Sequence, residues 1–308
     1  MRRLIISALA AGLMTFSALA QTTAAEHRQK YDNQVKKVGY DGPGVEIILD
    51  RWEADFPEDL DMLYGRFNLY LAKSISTRVV EKEGARYLGA KPILTLKDSL
   101  GRDVYYYQEN DFDDEYFALS EQAIDKAIRL SPDRLDLRFN KATALFSYEK
   151  ESPDMATSLL SSLIDYNYAV QPKWKSASAS LDDDDFEQGI QDFCASFYAL
   201  ATPASYESFR MLSEKMLKYL PKSTVFMNNL GSYNFVVKQD YKAARKYYDK
   251  VIKMEPGNYN AIKNSVLMAR RQKSVKLEKK YLPLLVKISP DENERMAAKA
   301  RLDALNSK

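Results

Sequence analysis

The chain has one Cys, Cys194, and one His, His27, and these are the first residues to test for chemistry. A nucleophilic thiol needs a neighbouring His or cation to lower its pKa. Cys194 instead falls with Ile190, Phe193 and Phe197 on one apolar helix face. A buried small hydrophobe is the expected role. His27 lies close to the N-terminus, where chains often fray. A single Cys excludes an internal disulfide framework and any multi-Cys zinc or iron–sulfur site. A single His argues against His clusters and a His-based triad. The run Asp182-Asp183-Asp184-Asp185 precedes an expected helix at Phe186. Carboxylates there suit the positive end of a helix. Calcium would need about six to eight oxygens in set geometry, and no EF-hand spacing is present. No nucleophile–base pair, phosphate loop or metal-ligand spacing stands out, so a non-catalytic chain without metal or cofactor is expected.

The 21 Tyr are the next candidates. Most, such as Tyr198, Tyr233, Tyr248 and Tyr259, sit on helical stripes as amphipathic core residues. Tyr105 and Tyr107 share one face of a strand and Tyr106 the other, so one of these faces is a candidate exposed surface. Trp52 is expected in the core. Trp174 lies in an irregular stretch and is the better surface candidate for stacking on a sugar or peptide.

Of the 308 residues, 45% are hydrophobic and 29% charged, an ordinary globular balance. Arg2 and Arg3, the apolar run 4–16 and Ala18-Leu19-Ala20 have the layout of a secretory signal peptide, with cleavage expected near Ala20/Gln21. The apolar run is shorter than the about 20 residues of a spanning helix, so no integral membrane span is expected. A periplasmic or secreted location follows. Cleavage removes two cations and leaves 43 basic and 43 acidic residues. A net charge of zero argues against nonspecific binding to nucleic acid or an anionic membrane.

Repeated helix ends organise the rest. Tyr219-Leu220-Pro221, Met254-Glu255-Pro256 and Ile288-Ser289-Pro290 place prolines 35 and 34 residues apart, with Leu130-Ser131-Pro132 further upstream. Between them the pattern is two amphipathic helices per unit. The clearest unit, 223–258, carries Phe226, Leu230, Tyr233 and Val237 on its first helix. Its second carries Ala244, Tyr248, Val251 and Ile252.

Asn229-Leu230-Gly231, Asp240-Tyr241, Ala244, Tyr248 and Pro256 resemble the tetratricopeptide (TPR) repeat signature. In that family a Leu-Gly pair sits in the first helix, a small Ala lets the helices approach, an aromatic packs one turn later and a Pro closes the unit. Gly231 to Ala244 is one residue longer than the family pattern, which implies an expanded turn. Weaker units pair 134–148 with 155–163, 186–200 with 203–220, and 259–271 with 274–288, where Glu278 replaces the family Ala. Residues 292–305 read as a capping helix, and 47–57 with 60–71 as a degenerate early unit. Ser152-Pro153, Thr202-Pro203 and Ser289-Pro290 read as helix starts, each with a hydroxyl N-cap and Pro at the first position; Ser289 with Glu292 has capping-box spacing.

Two stretches break the pattern. Residues 92–107 read as a β-hairpin about Asp98-Ser99-Leu100-Gly101, an insertion ahead of the main array. Residues 167–184 read as a long loop or flexible connection. The expected organisation is a mainly all-α, TPR-like solenoid of antiparallel helix pairs: leader 1–20, helical segment 21–90, hairpin insertion 91–113, and repeat array with cap 114–308. The resemblance implies a concave groove lined by first helices that binds extended or helical peptides. By position Asn140, Asn229, Ser232, Phe235, Lys263, Asn264, Leu267 and Arg270 look toward it; the alternative is a plain solvated face. Asn amides can bond a peptide backbone, and Lys263 and Arg270 suit a carboxylate. The carboxylate-clamp subclass needs a fuller set of Lys, Asn and Arg than is present. A protein-binding scaffold of the bacterial envelope with an unidentified protein or peptide partner is therefore expected, the alternative being glycan binding or uptake on TPR-like helices.

Overall fold

The computed structural model describes residues 22–307; the expected leader lies outside the described residues. Three helices come first: α1 (Ala24–Val38), α2 (Val45–Asp55) and α3 (Leu60–Ser74). Strands β1 (Ile75–Lys82), β2 (Leu94–Lys97) and β3 (Asp103–Phe112) follow, and then α4 (Asp114–Leu130). The next helices are α5 (Leu135–Glu149), α6 (Asp154–Val170), α7 (Asp183–Leu200) and α8 (Pro203–Tyr219). The array continues through α9 (Thr224–Ser232), a π-helical turn (Tyr233–Lys238) and α10 (Tyr241–Met254). It ends with α11 (Tyr259–Arg271), α12 (Val275–Ile288) and α13 (Glu292–Asn306). Helices pair as α3 with α4, α5 with α6, α7 with α8, α9 with α10, and α11 with α12, with α13 packed on α12. First helices touch the next first helix (α7 to α9, α9 to α11), and second helix α6 touches second helix α8. One apolar core runs from Tyr31 in α1 to Tyr233 and is continued by clusters under α10 to α13. This is the physics of a solenoid, in which each pair buries its stripe only against its neighbours.

The β insertion differs from expectation in two ways. It has three strands in the order β1-β3-β2, all antiparallel, so residues 75–82 are strand and not part of the N-terminal helical segment. It also sits inside a repeat, not ahead of the array: β1 follows α3 directly, β3 runs into α4, and the Asp113 amide donates to the Ser74 carbonyl at 2.8 Å. The sheet is an enlarged turn of the α3/α4 pair. Its β2–β3 turn is held by Asp98, whose Oδ1 accepts from the amides of Leu100 at 2.8 Å and Arg102 at 2.9 Å. The β1–β2 connection docks on the array at Gly89, where φ is +73° and a Cβ would stand 1.8 Å from the Ala199 carbonyl oxygen. Only glycine combines that backbone with that approach.

Within the clearest unit Gly231 faces the Tyr248 ring, and a Cβ on it would lie 2.5 Å from Cε1. Ala244 and Tyr248 are both fully buried. The extra residue before Ala244 is accommodated by the π-helical turn, in which the Asn234 amide side chain caps the Leu230 carbonyl at 2.7 Å and Gln239 ends the helix at φ +53°. A π turn absorbs one inserted residue without disturbing either flanking helix face.

Thr202-Pro203 starts α8 as expected, with a reciprocal capping box to Ser205. The other two proline starts shift. Pro153 itself is the N-cap of α6, because the α6 amides of Met155 and Ala156 are satisfied by the Glu149 carboxylate. Ser289 closes α12, while Asp291 caps α13 by accepting from Asn293 and Glu294. The stretch 171–182 is ordered: Lys175 bridges to Arg134 and Ser180, and Trp174 anchors it. Trp174 is 3% exposed, donates its indole N–H to Asn167 Oδ1 at 2.7 Å and lies parallel to Phe186 at 6.1 Å. Among the described residues no helix is long and apolar enough to cross a membrane.

Candidate functional site

The first helices α3, α5, α7, α9 and α11 share one side of the array, where neutral polar groups tie α3 to α5, α7 to α9 and α9 to α11, while Phe139 of α5 packs on Phe186 and Phe193 of α7. Asn140 of α5 donates to the Tyr64 hydroxyl of α3 at 3.0 Å. Asn229 of α9 donates to Gln191 Oε1 of α7 at 2.7 Å and to Ser213 Oγ at 3.1 Å. Ser232 of α9 bonds the Tyr248 hydroxyl at 3.2 Å and accepts from Asn264 of α11 at 3.4 Å. Four of the expected groove residues, Asn140, Asn229, Ser232 and Asn264, thus link neighbouring repeats. Asn229 is buried, and Asn140, Ser232 and Asn264 are half-buried. Their amide and hydroxyl groups fix the register of one helix pair on the next before any partner arrives. Buried polar groups without such partners cost about 1–3 kcal/mol each.

The two expected cations are also engaged. Lys263 Nζ lies 2.8 Å from the Tyr259 hydroxyl and 3.1 Å from Glu294 Oε1, and that hydroxyl contact, with Glu294, raises its pKa. Arg270 faces Glu278 at 3.9 Å. A partner carboxylate at either position would compete with an acid already in place. Phe235 belongs to the π turn, is half-buried and packs on Tyr241. Leu267 is exposed on α11.

One open part of this face lies between α7 and α9. A notch of about 190 Å3 is lined there by Asp184, Glu187, Gln188, Gln191, Val225 and Phe226. Asp184, Gln188 and Val225 are exposed. Burial, with Asp184 and Asp183 beside it, raises the Glu187 carboxyl. The acidic run caps α7: Asp182 Oδ1 accepts from the Asp185 amide and Asp185 Oδ2 from the Asp182 amide, both at 3.0 Å. Among the described residues no group of three or more His, Cys, Asp or Glu is placed to hold a metal ion. Sequence reasoning singled out this run as a helix start; Gln188 and Val225 escaped notice because each looks like an ordinary surface position until α7 and α9 are side by side.

The secondary surface residues need correction. Trp174 is buried by the Phe186 stack, which removes it as an exposed platform for a sugar ring. Tyr107 is 2% exposed and donates to the Gly84 carbonyl at 2.9 Å; the β1–β2 connection, invisible as an element in the sequence, covers it. Tyr105 and Tyr106 remain half-exposed. His27 is not frayed: it is 4% exposed, its Nε2 meets Asp55 Oδ2 at 2.8 Å and its ring lies parallel to Trp52. Cys194 is fully buried on α7, and burial pushes its thiol up to about 12.

No family model and no curated protein matches the chain. Solved structures resemble it at 10% identity. PilW, described as a widely conserved type IV pilus biogenesis factor, covers 89% of this chain with 97% of its own, at a TM-score of 0.39. Pseudomonas aeruginosa PilF covers 90% with 97% of its own, at 0.37. Yeast Tom70 covers 92% with 59% of its own, at 0.31. All three TM-scores are below 0.5, so the class rests on this chain's own packing. Stacked antiparallel helix pairs, the Gly231–Tyr248 and Ala244 contacts and α13 packed on α12 define a TPR-like α–α solenoid.

Proposed function

We propose that the chain is a non-catalytic protein-binding scaffold that holds a partner segment along the face of its first helices, anchored in the notch between α7 and α9. One observation carries this reading. Polar groups tie α3 to α5, α7 to α9 and α9 to α11, and on this face Asp184 and Val225 are exposed beside Gln188, whose amide N–H is held by Asp192 at 2.7 Å and whose carbonyl oxygen is left to accept, while Lys263 and Arg270 on α11 already face Glu294 and Glu278. A partner segment suited to the notch presents backbone amides to Gln188, a Lys or Arg to Asp184 and Glu187, and a small apolar side chain to Val225. The chemistry is thus the opposite of carboxylate capture at Lys263 and Arg270. The leader-like residues 1–20 support a periplasmic or secreted setting for this binding.

The test is a crosslinked pull-down from an envelope extract with two variants. Asp184→Lys/Gln188→Arg should lose the partner that the unaltered chain retains, and Lys263→Glu/Arg270→Glu should keep it. The reverse pattern would return the site to α11.

A further inference from the structure

The net charge of zero conceals a strong division along the array. Residues 22–202 hold 21 Lys and Arg against 33 Asp and Glu, whereas residues 203–308 hold 22 against 10. The excess cations concentrate on the outward sides of two neighbouring second helices. On α10, Lys242, Arg245, Lys246, Lys250 and Lys253 are exposed, opposite the buried stripe Ala244, Tyr248 and Val251. On α12, Lys276, Lys279 and Lys287 are exposed, opposite Leu277, Tyr281 and Leu285. Among the described residues none of these eight makes an ion pair.

The reason is that each helix has a single acid, and both acids are engaged. Asp249 of α10 takes Lys280 Nζ and the Tyr281 hydroxyl, each at 2.7 Å, which also shows that the two helices lie side by side. Glu278 of α12 is 2% exposed and holds Arg301 of α13 through two bonds, at 2.8 and 2.9 Å. Lys242, Lys246 and Lys250 stand at successive i, i+4 positions, a like-charge spacing that weakens a helix. Among the described residues no acid forms an ion pair with any of the three.

We infer that the outward face of α10 and α12 is a docking surface for a membrane bearing anionic headgroups. The five cations on α10 span about 16 Å along the axis, and α12 lies beside them, giving a broad cationic ridge. Seven of the eight are lysines, compact point charges suited to a diffuse plane of phosphates; forked guanidinium recognition favours Arg. Met254 at the end of α10 and Val275 at the start of α12 are 40% and 47% exposed, and surface-lying helices combine such apolar groups with Lys. Docking through the second helices leaves the first-helix face open, so this inference stands whether or not the groove reading holds.

The experiment is vesicle co-sedimentation of the protein beginning at Gln21, which contains every described residue. Vesicles of phosphatidylcholine with about 30% phosphatidylglycerol should bind it at about 0.1 M salt, and pure phosphatidylcholine vesicles should not. Each surface cation contributes roughly fivefold to such binding. The variant Lys246→Glu/Lys250→Glu/Lys276→Glu/Lys279→Glu should therefore lose at least about 100-fold. The matching Lys→Arg variant should bind normally, and so should Lys36→Glu/Lys37→Glu on the acidic half. Binding should vanish near 1 M salt, where the screening length falls to about 3 Å. Absence of binding to anionic vesicles, equal binding to neutral ones, or survival in the four-Glu variant would overturn the inference. Tighter binding to a DNA duplex than to anionic vesicles at the same salt would overturn it too, by assigning the ridge to nucleic acid.

Discussion

Trp174→Ala should destabilise the protein far more than a substitution in a loop ordinarily does. The ring is 3% exposed, stacked on Phe186 and hydrogen-bonded to Asn167. Burying an aromatic of this size removes up to about 250 Å2 from water, which at about 25 cal/mol per Å2 sets an upper bound near 6 kcal/mol. Measured truncations of buried aromatics cost about 3–5 kcal/mol. The segment 171–182 lies at the edge of the core and can partly collapse into the space, so the expected loss is about 3 kcal/mol. Trp174→Phe keeps the stack but orphans the Asn167 amide oxygen, at about 1–2 kcal/mol. Equilibrium urea unfolding measures both, and the thermal midpoint of Trp174→Ala should fall by about 6–12 °C. Hydrogen exchange should show the loss concentrated in α6 and the start of α7. A Trp174→Ala midpoint indistinguishable from the unaltered chain, or indole fluorescence quenched by acrylamide as freely as free tryptophan, would refute the anchor.

Three further outcomes are expected. Gly231→Val should cost about 1–3 kcal/mol by overpacking against Tyr248, read as a lower urea midpoint, whereas the same change at exposed Gly257, which has open space around its Cβ position, should be nearly neutral. The Arg301 guanidinium holds the Glu278 carboxyl below its usual range; a depressed folded pKa gives stability that is present above the unfolded value of about 4.3 and lost as pH falls through the folded one. Amide protection of α13 should therefore fall in acid, and Glu278→Gln should remove that dependence while lowering protection at neutral pH. Cys194, with its thiol pushed up to about 12, should resist a thiol reagent at pH 8 in the folded state and react only after denaturation.

The helix pairs from α5 onward were legible because periodicity and proline spacing are local signals, whereas the early unit expected from 47–57 and 60–71 is not the pair that forms, since α3 packs on α4 across the inserted sheet. The extra residue between Gly231 and Ala244 was legible as an irregularity; its form, a π turn, depends on the packing of Tyr233 and Val237 on either side. The position of the sheet was not legible. Residues 75–82 follow α3 without a turn residue, and only pairing with β3 shows that they are a strand. Trp174 read as exposed because Pro172 and the Ser/Ala stretch mark a loop, while burial came from Phe186 and Asn167 on two separate helices. Sequence position does not reveal that Asn229, Asn264 and Lys263 already have partners within the array. The charge division needed no structure at all. An excess of acid in residues 22–202 and of base in 203–308 cancels in the net charge of the whole chain.

A partner docked as proposed on the first-helix face between α7 and α9 lies against Val225. A photo-crosslinking amino acid at Val225, compared with one at Met211 on the outward-exposed side of α8, tests this docking most directly. One adduct is expected from Val225, lost in the Asp184→Lys/Gln188→Arg background, and none from Met211. An adduct from Met211 with none from Val225 would contradict it.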